Sequence, residues 1–392
     1  MKYGSIDLGR YDRLFSTSDR QYIQKFINDL GLFKTNFGFW KEHFVRDTNP
    51  TPTGVEGAAA YTVYAIDRAA APMLDFASPF SETSQNDKDG WRFYTGTIPH
   101  TNRGFVEKAK ERYAKEQLYK EFGNDVDIIL QYTDNVQKLI DGGNQRLSNM
   151  AAQILSTGQI ITATGVGGQG QGTDFYQKAE IPADNFISAG TKVWSDPTCD
   201  LLSQMKAIED DMRETTGYTG GLEWNIPDAM VTNVFLSNTQ VRENVTAYRN
   251  ALGYLVVGDR PITREEFNAY MASENALISP IRVVIEKQKV QSLSTTSTVS
   301  GWDSTVAVLR PTGYAGVIKY TQIPDIYVAQ SYASTAVQKT TAMYEGGIMG
   351  IMNTVLERGG YPEWHTDIFM DAVPALTEFT YHYIVDTATA DS

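Results

Sequence analysis

Cysteine is nearly missing from this chain: Cys199 is the single one among 392 residues. No intrachain disulfide can form, which fits folding in a reducing compartment, and a zinc site built on thiolates lacks its ligands. Cys199 stands beside Leu201 and Leu202 in a predicted helix and reads as a packed thiol rather than a nucleophile. Histidine is scarce too. His43, His100, His365 and His382 include no pair at metal-ligand spacing, and the last two read as surface or interface residues of an extended C-terminal region. The opening Met1-Lys2-Tyr3-Gly4-Ser5-Ile6-Asp7 lacks the apolar stretch of a signal peptide. No apolar run approaches the ~18 residues of a membrane-spanning helix. The chain therefore reads as soluble, without a membrane partner and made in the cytosol. Lys and Arg number 34 against 47 Asp and Glu, a net charge of −13, with no cationic run. A protein that grips nucleic acid by its phosphates needs a basic field, and this chain has none.

Catalytic signatures are equally thin. Gly165-x-Gly167-x-x-Gly170 has the letters of a dinucleotide fingerprint, which has meaning only between a strand and a helix. Here Thr173-Asp174-Phe175 follows and no amphipathic helix opens, so a flexible surface loop is the default. There is no Gly-Lys-Ser/Thr and no Gly-x-Ser-x-Gly elbow. Glu209-Asp210-Asp211 reads as a solvated acidic face. No catalytic residue, cofactor or metal is expected, and the chain reads as a non-enzyme.

Aromatic residues are plentiful, with 22 Tyr and 17 Phe beside a charged fraction of only 21 %. That balance suits a protein that buries surface between subunits as well as within itself. The length is enough for roughly two to three domains.

Along the chain, residues 1–50 read as an arm with short helices, closed by the break Asn49-Pro50-Thr51-Pro52-Thr53-Gly54. Residues 58–103 look extended. Ala60–Ile66 is rich in β-formers, while Ala71–Phe76 and Trp91–Ile98 are predicted to pair as a long hairpin across the polar segment 81–90. A two-stranded ribbon is unstable alone, so a neighbouring subunit is its natural support. Trp91, Arg92, Phe93 and Tyr94 are the candidate subunit contacts, with packing on their own domain as the alternative. Arg92 and Arg103 are candidates to meet acidic groups across that contact. Residues 104–121 are predicted as a short charged helix.

The next helix carries the clearest pattern. After a cap at Asn124 or Asp125, apolar residues recur at Ile128, Tyr132, Val136, Ile140, Leu147, Met150, Ala151, Ile154 and Leu155, up to Gly158. Gly142 and Gly143 interrupt it at about 1 kcal/mol each. Either they form a bend in one long helix or the helix divides there. Further on, Asp196-Pro197 is predicted to open a helix over Leu201, Met205, Ile208 and Met212, stopped by Gly217. Met230–Leu236 reads as a strand. Ser237–Gln240 and Thr263–Glu266 read as capping boxes. Ile281–Ile285, Thr305–Leu309 and Phe379–Val385 read as strands. The chain is α+β, without a regular βαβ rhythm and without internal repeats.

Four segments resemble the lambda-like major capsid protein E family of tailed bacteriophages. They are Asn144-Gln145-Arg146-Leu147-Ser148-Asn149-Met150-Ala151-Ala152-Gln153-Ile154-Leu155-Ser156-Thr157-Gly158-Gln159-Ile160; Trp194-Ser195-Asp196 ahead of Asp200-Leu201-Leu202; the segment ending at Ser237 with Val241-Arg242; and Pro362-Glu363-Trp364-His365-Thr366 with Ala372-Val373-Pro374-Ala375-Leu376. Their order and spacing match over roughly 145–392, and the N-terminal third matches in layout only. The resemblance implies a Hong Kong 97-type capsid fold: an N-terminal arm (1–57), an extended loop (58–104), a peripheral domain with a long spine helix (105–219), an axial domain (220–355) and a return to the peripheral domain (356–392). It implies a shell subunit forming pentamers and hexamers around packaged double-stranded DNA, without sequence-specific binding. The implied partners are a portal protein, a scaffolding protein and, as an optional addition, a decoration protein. The location implied is the virion, assembled in the host cytoplasm. The arm begins close to Met1, so a separate scaffolding protein is expected. An encapsulin-like cellular compartment shares the fold and is the alternative.

Overall fold

The computed structural model describes residues 38–51, 59–67, 90–108, 126–162, 175–254, 261–273, 276–284, 287–291, 296–321, 339–358 and 361–390. The single turn α1 (Phe39–His43) buries Trp40 and His43 and runs into β1 (Phe44–Arg46). β2 (Ala59–Asp67) and β3 (Gly90–Ile98) form an antiparallel ribbon, followed by β4 (His100–Glu107). The long helix α2 (Val126–Thr157) ends at Gly158, whose φ of +68° places it in the left-handed region. A second ribbon, β5 (Gln159–Thr162) with β6 (Phe175–Lys178), leads to β7 (Phe186–Ser188). Then come α3 (Leu201–Thr216), β8 (Leu222–Pro227), α4 (Asp228–Asn233), α5 (Thr239–Ala251), α6 (Arg264–Met271) and β9 (Ile281–Val284). The rest is β10 (Lys287–Gln291), β11 (Thr296–Ser300), β12 (Val306–Pro311), β13 (Gly316–Tyr320), β14 (Lys339–Tyr344), β15 (Met349–Arg358), β16 (Tyr361–Leu376) and β17 (Tyr383–Asp386).

Two sheets organise these elements. The first runs β1-β13-β16-β15-β14, with β4 also paired to β16. One face of β16, with Ile368, Met370 and Ala372, is buried in the same core as Leu147, Met150, Ala151 and Ile154 of α2. The second sheet runs β7-β17-β12-β8-β9. Its core holds Leu201, Leu202, Met205, Trp224, Val231, Phe235, Val241, Phe267 and Tyr383. β12 is buried along its whole length. Val306 and Val308 belong to the first core and Ala307 and Leu309 to the second. The period-two alternation of a strand thus makes the second sheet a wall between two cores.

Several sequence expectations are corrected. Met230–Leu236 is not a strand: α4 and a short 3-10 turn at Phe235–Ser237 occupy it, with Val231 and Phe235 buried one turn apart. A short, mainly apolar run fits either period, and the strand is its neighbour β8. Residues 104–107 belong to β4 rather than to a charged helix, and 109–125 lie outside the described residues. β3 pairs with Ala59–Asp67, not with Ala71–Phe76, which also lies outside them. The first helix after Trp194 starts at Leu201, because Asp196 closes a local turn instead, accepting from Thr198 N and Oγ1 at 2.8 Å each. Cys199 sits in that turn and is buried. Burial and the neighbouring Asp200 and Asp196 push its thiol pKa up, which suits an inert thiol. Asn238 caps α5 by accepting from Val241 N, and Gln240 serves the neighbouring helix, accepting from Leu202 N at 2.8 Å. The capping box at Thr263 and Glu266 is present as expected. The last expected strand begins as a 3-10 turn (Phe379–Tyr381) and becomes β17 only at Tyr383.

α3 packs in the second core, β14 and β15 join the first sheet, and β17 joins the second.

Candidate intersubunit surface and domain junction

The ribbon β2–β3 has two unlike faces. Tyr61, Val63, Tyr94 and Ile98 point inward and are buried. Gly96 lets the Tyr61 ring cross the ribbon, since a Cβ there would lie 2.6 Å from Tyr61 Cζ. Tyr94 donates its hydroxyl to Leu376 O at 2.9 Å and meets the Phe379 ring edge-on at 5.5 Å. Burial raises its pKa well above the usual phenol range. Tyr94 therefore packs within its own chain, the alternative that the sequence left beside a subunit contact. The physical reason is the alternation of the strand, which turns residues 93 and 94 to opposite faces.

Phe93 and its neighbour Tyr64 point outward, 60 % and 64 % exposed, with ring centroids 6.2 Å apart. Arg92 is exposed, lies on the same strand face as Tyr94 and pairs in register with Ala65. For Trp91 the register gives a partner, Ile66, and nothing further. Tyr64 was not singled out from sequence, because its pairing with Phe93 follows from a register visible only in the fold.

Gly142 and Gly143 do not divide the helix: α2 is unbroken through both. Their surroundings differ. Nothing lies within 4 Å of a Cβ at Gly142, whereas one at Gly143 would stand 2.7 Å from Met349 Sδ. Gly143 is thus a close-approach residue between α2 and β15.

A buried polar junction joins the two cores, and no sequence motif marked it. Arg310 of β12 is 1 % exposed. It pairs with Glu223 of β8, donates to Gly313 O at 2.9 Å, and donates through Nη2 to His43 Nδ1 at 2.9 Å. Because Nδ1 accepts, His43 is neutral. Burial, Arg310 and Arg282 together lower its pKa to about 2. Glu42 extends the cluster to Arg282 at 2.7 Å. His382 is fully buried, not a surface residue. Its Nε2 lies 2.7 Å from Leu155 O in the last turn of α2, and burial, with a smaller contribution from Arg310, lowers its pKa to about 4. Trp40 is held to α2 by its Nε1–H, which donates to Asn144 Oδ1 at 3.0 Å. Glu209 is likewise buried, accepting from Trp224 Nε1 and Ser279 N, while Asp210 and Asp211 remain exposed. Only the latter two fit the solvated acidic face. Among the described residues no group of three acidic, His or Cys side chains is placed to hold a metal ion, and no helix is long and apolar enough to cross a membrane.

No protein-family model and no curated protein sequence matches the chain. Solved structures do. A prophage protein of E. coli CFT073, assigned as its capsid protein, superposes with a TM-score of 0.53 at 15 % identity, over 94 % of this chain and 98 % of that one. A phage-related protein of Bordetella bronchiseptica RB50 gives 0.47 at 12 % identity, over 93 % and 96 %. The mature capsid subunit of bacteriophage PhiM1 gives 0.41 at 9 % identity, over 90 % and 88 %. The first of these sets the fold. This chain has the α+β fold of a phage capsid protein, the Hong Kong 97-type fold, across nearly its whole length.

Proposed function

We propose that this chain is the major capsid protein of a tailed bacteriophage, of the lambda-like kind, a structural subunit without catalytic activity. It forms pentamers and hexamers that close into an icosahedral head around packaged double-stranded DNA. The observation that carries this reading is the fold likeness to the prophage capsid protein over almost the full length of both chains. The net charge of −13 agrees with a container rather than a binder of DNA. The first core, with α2, serves as the peripheral domain and the second as the axial domain. The outer face of the β2–β3 ribbon, with Phe93 and Tyr64, contacts a neighbouring subunit. Portal, scaffolding and, where used, decoration proteins complete the particle, which assembles in the host cytoplasm and ends as the virion shell. Gly142, with open space around it, is the flexing point of the spine helix. Gly142→Ala shells that assemble and mature normally would remove that role.

Electron microscopy of the expressed full-length chain tests the central claim. Closed particles or sheets of rings are expected. A small oligomer that persists across conditions, with scaffold supplied, would sink it.

A further inference from the structure

The junction around Arg310 leaves a buried donor and a buried acceptor unused. Both terminal nitrogens of Arg310 are engaged. Nη1 donates to Pro311 O at 3.1 Å and to Gly313 O at 2.9 Å, while Nη2 donates to His43 Nδ1 at 2.9 Å and to Glu223. Its Nε–H is closed to solvent and has no partner. Glu378 stands between the end of β16 and the 3-10 turn that leads into β17. Its Oε2 is likewise closed to solvent and without a partner.

The backbone brings these two groups to one place through Ala315. Ala315 N donates to the carbonyl of His43 at 2.7 Å, and Ala315 O accepts from Glu378 N at 3.4 Å. His43 is the same residue whose ring Arg310 holds. The two charges feel one another, since burial pushes the Glu378 carboxyl up and the Arg310 guanidinium opposes that rise. Yet Arg310 Nε and Glu378 Oε2 do not bond to each other. Tyr218 also lies near Glu378, but its hydroxyl donates to Gly221 O at 3.3 Å. Native chains pair nearly all buried polar atoms, with ordered water as the partner where protein supplies none.

We propose that an internal water binds between Arg310 and Glu378, accepting from Nε–H and donating to Oε2. The chemistry selects a neutral molecule that both donates and accepts. An anion would meet the carboxylates of Glu378 and Glu223, and a cation would meet the guanidinium. Both atoms are sealed within the single chain, as an internal water requires, so no outside group is needed. Arg310 of the second sheet then holds α1 directly, at His43, and the end of β16 through water. A water-mediated contact bridges a separation that a direct bond cannot span. The inference does not rest on the shell-subunit reading, and its failure would leave that reading untouched.

The test is an experimental structure of the full-length chain at a resolution that shows ordered water, with Glu378→Gln beside it. One water within hydrogen-bond distance of both Arg310 Nε and Glu378 Oε2 is expected. Gln presents an amide oxygen in place of the carboxylate and can hold the same water. Glu378→Gln is therefore expected to keep that water and to raise the unfolding equilibrium constant by less than about tenfold. Three results would overturn the proposal. They are a carboxylate resting directly on Nε, a junction with no water between the two groups, and a rise of about a hundredfold in Glu378→Gln, the size lost with a direct charged bond.

Discussion

His43 and His382 are where single residues matter most, because both are buried neutral at contacts between the cores. Unfolded, each would titrate near 6.5, whereas in the fold the values are about 2 and about 4. Below pH 6.5 the unfolded chain therefore binds protons that the folded chain refuses. Stability falls as pH falls, by about 1.4 kcal/mol per unit for each histidine. For His382 the loss continues down to about 4 and for His43 down to about 2. Denaturant unfolding at neutral pH and at about pH 5 should show this slope, and His382→Gln, which keeps a donor for Leu155 O, should flatten it. Glu209 offers a second check. Glu209→Ala strips the acceptor from Trp224 Nε1 and Ser279 N, and a loss of about 2–5 kcal/mol is expected in urea unfolding. Neither role was legible from sequence. Glu209 sits in an acidic run, and a run of like charges does not reveal which member faces inward. The partners of His382 and Arg310 come from chain segments far away in sequence.

At the scale of elements, α2 was the most legible. Its stripe of Ile140, Leu147, Met150, Ala151, Ile154 and Leu155 is buried as its spacing predicts, since a helix face repeats locally and needs no distant information. The two glycines inside it looked equivalent and are not. Gly142→Ala should raise stability by about 0.5–1 kcal/mol, through lower unfolded-state entropy and better helix propensity. Gly143→Ala gains the same term but pushes its Cβ into Met349, so it should fall short of Gly142→Ala in thermal unfolding. The hairpin was legible as a hairpin but not in its register. Ala71–Phe76 and Ala59–Asp67 are both plausible strands by composition, and only the ladder with Gly90–Ile98 decides between them. Residues 104–107 were misread because a strand holding Arg103 and Glu107 lacks clean alternation, which burial of one face would have produced.

For the molecule as a whole, the ribbon's exposed aromatic pair separates folding from assembly. Tyr64→Ser with Phe93→Ser removes side chains 64 % and 60 % exposed, so the unassembled chain should keep its unfolding midpoint within about 0.5 kcal/mol. Shell formation, followed by light scattering and electron microscopy, should be lost or strongly slowed. Tyr94→Phe should behave in the opposite way. It removes the bond to Leu376 O and should lower chain stability by about 1 kcal/mol, with little further effect on assembly. The two variants distinguish an outward face from an inward one, which the run Trp91-Arg92-Phe93-Tyr94 did not disclose.

What the sequence determined by itself follows from local periodicity and from what the composition lacks. The α+β class, the long helix, the ribbon, the helix ends at Gly158 and Gly217 and the absence of a cationic field were all readable without a fold. The partition into two cores was not. α3, β8, β12 and β17 are scattered over almost two hundred residues, yet they close on one wall, and β12 serves both cores by alternate residues. Amphipathic pattern states that a face will be buried, and only the tertiary structure decides against what, because that choice depends on contacts between residues remote in the chain.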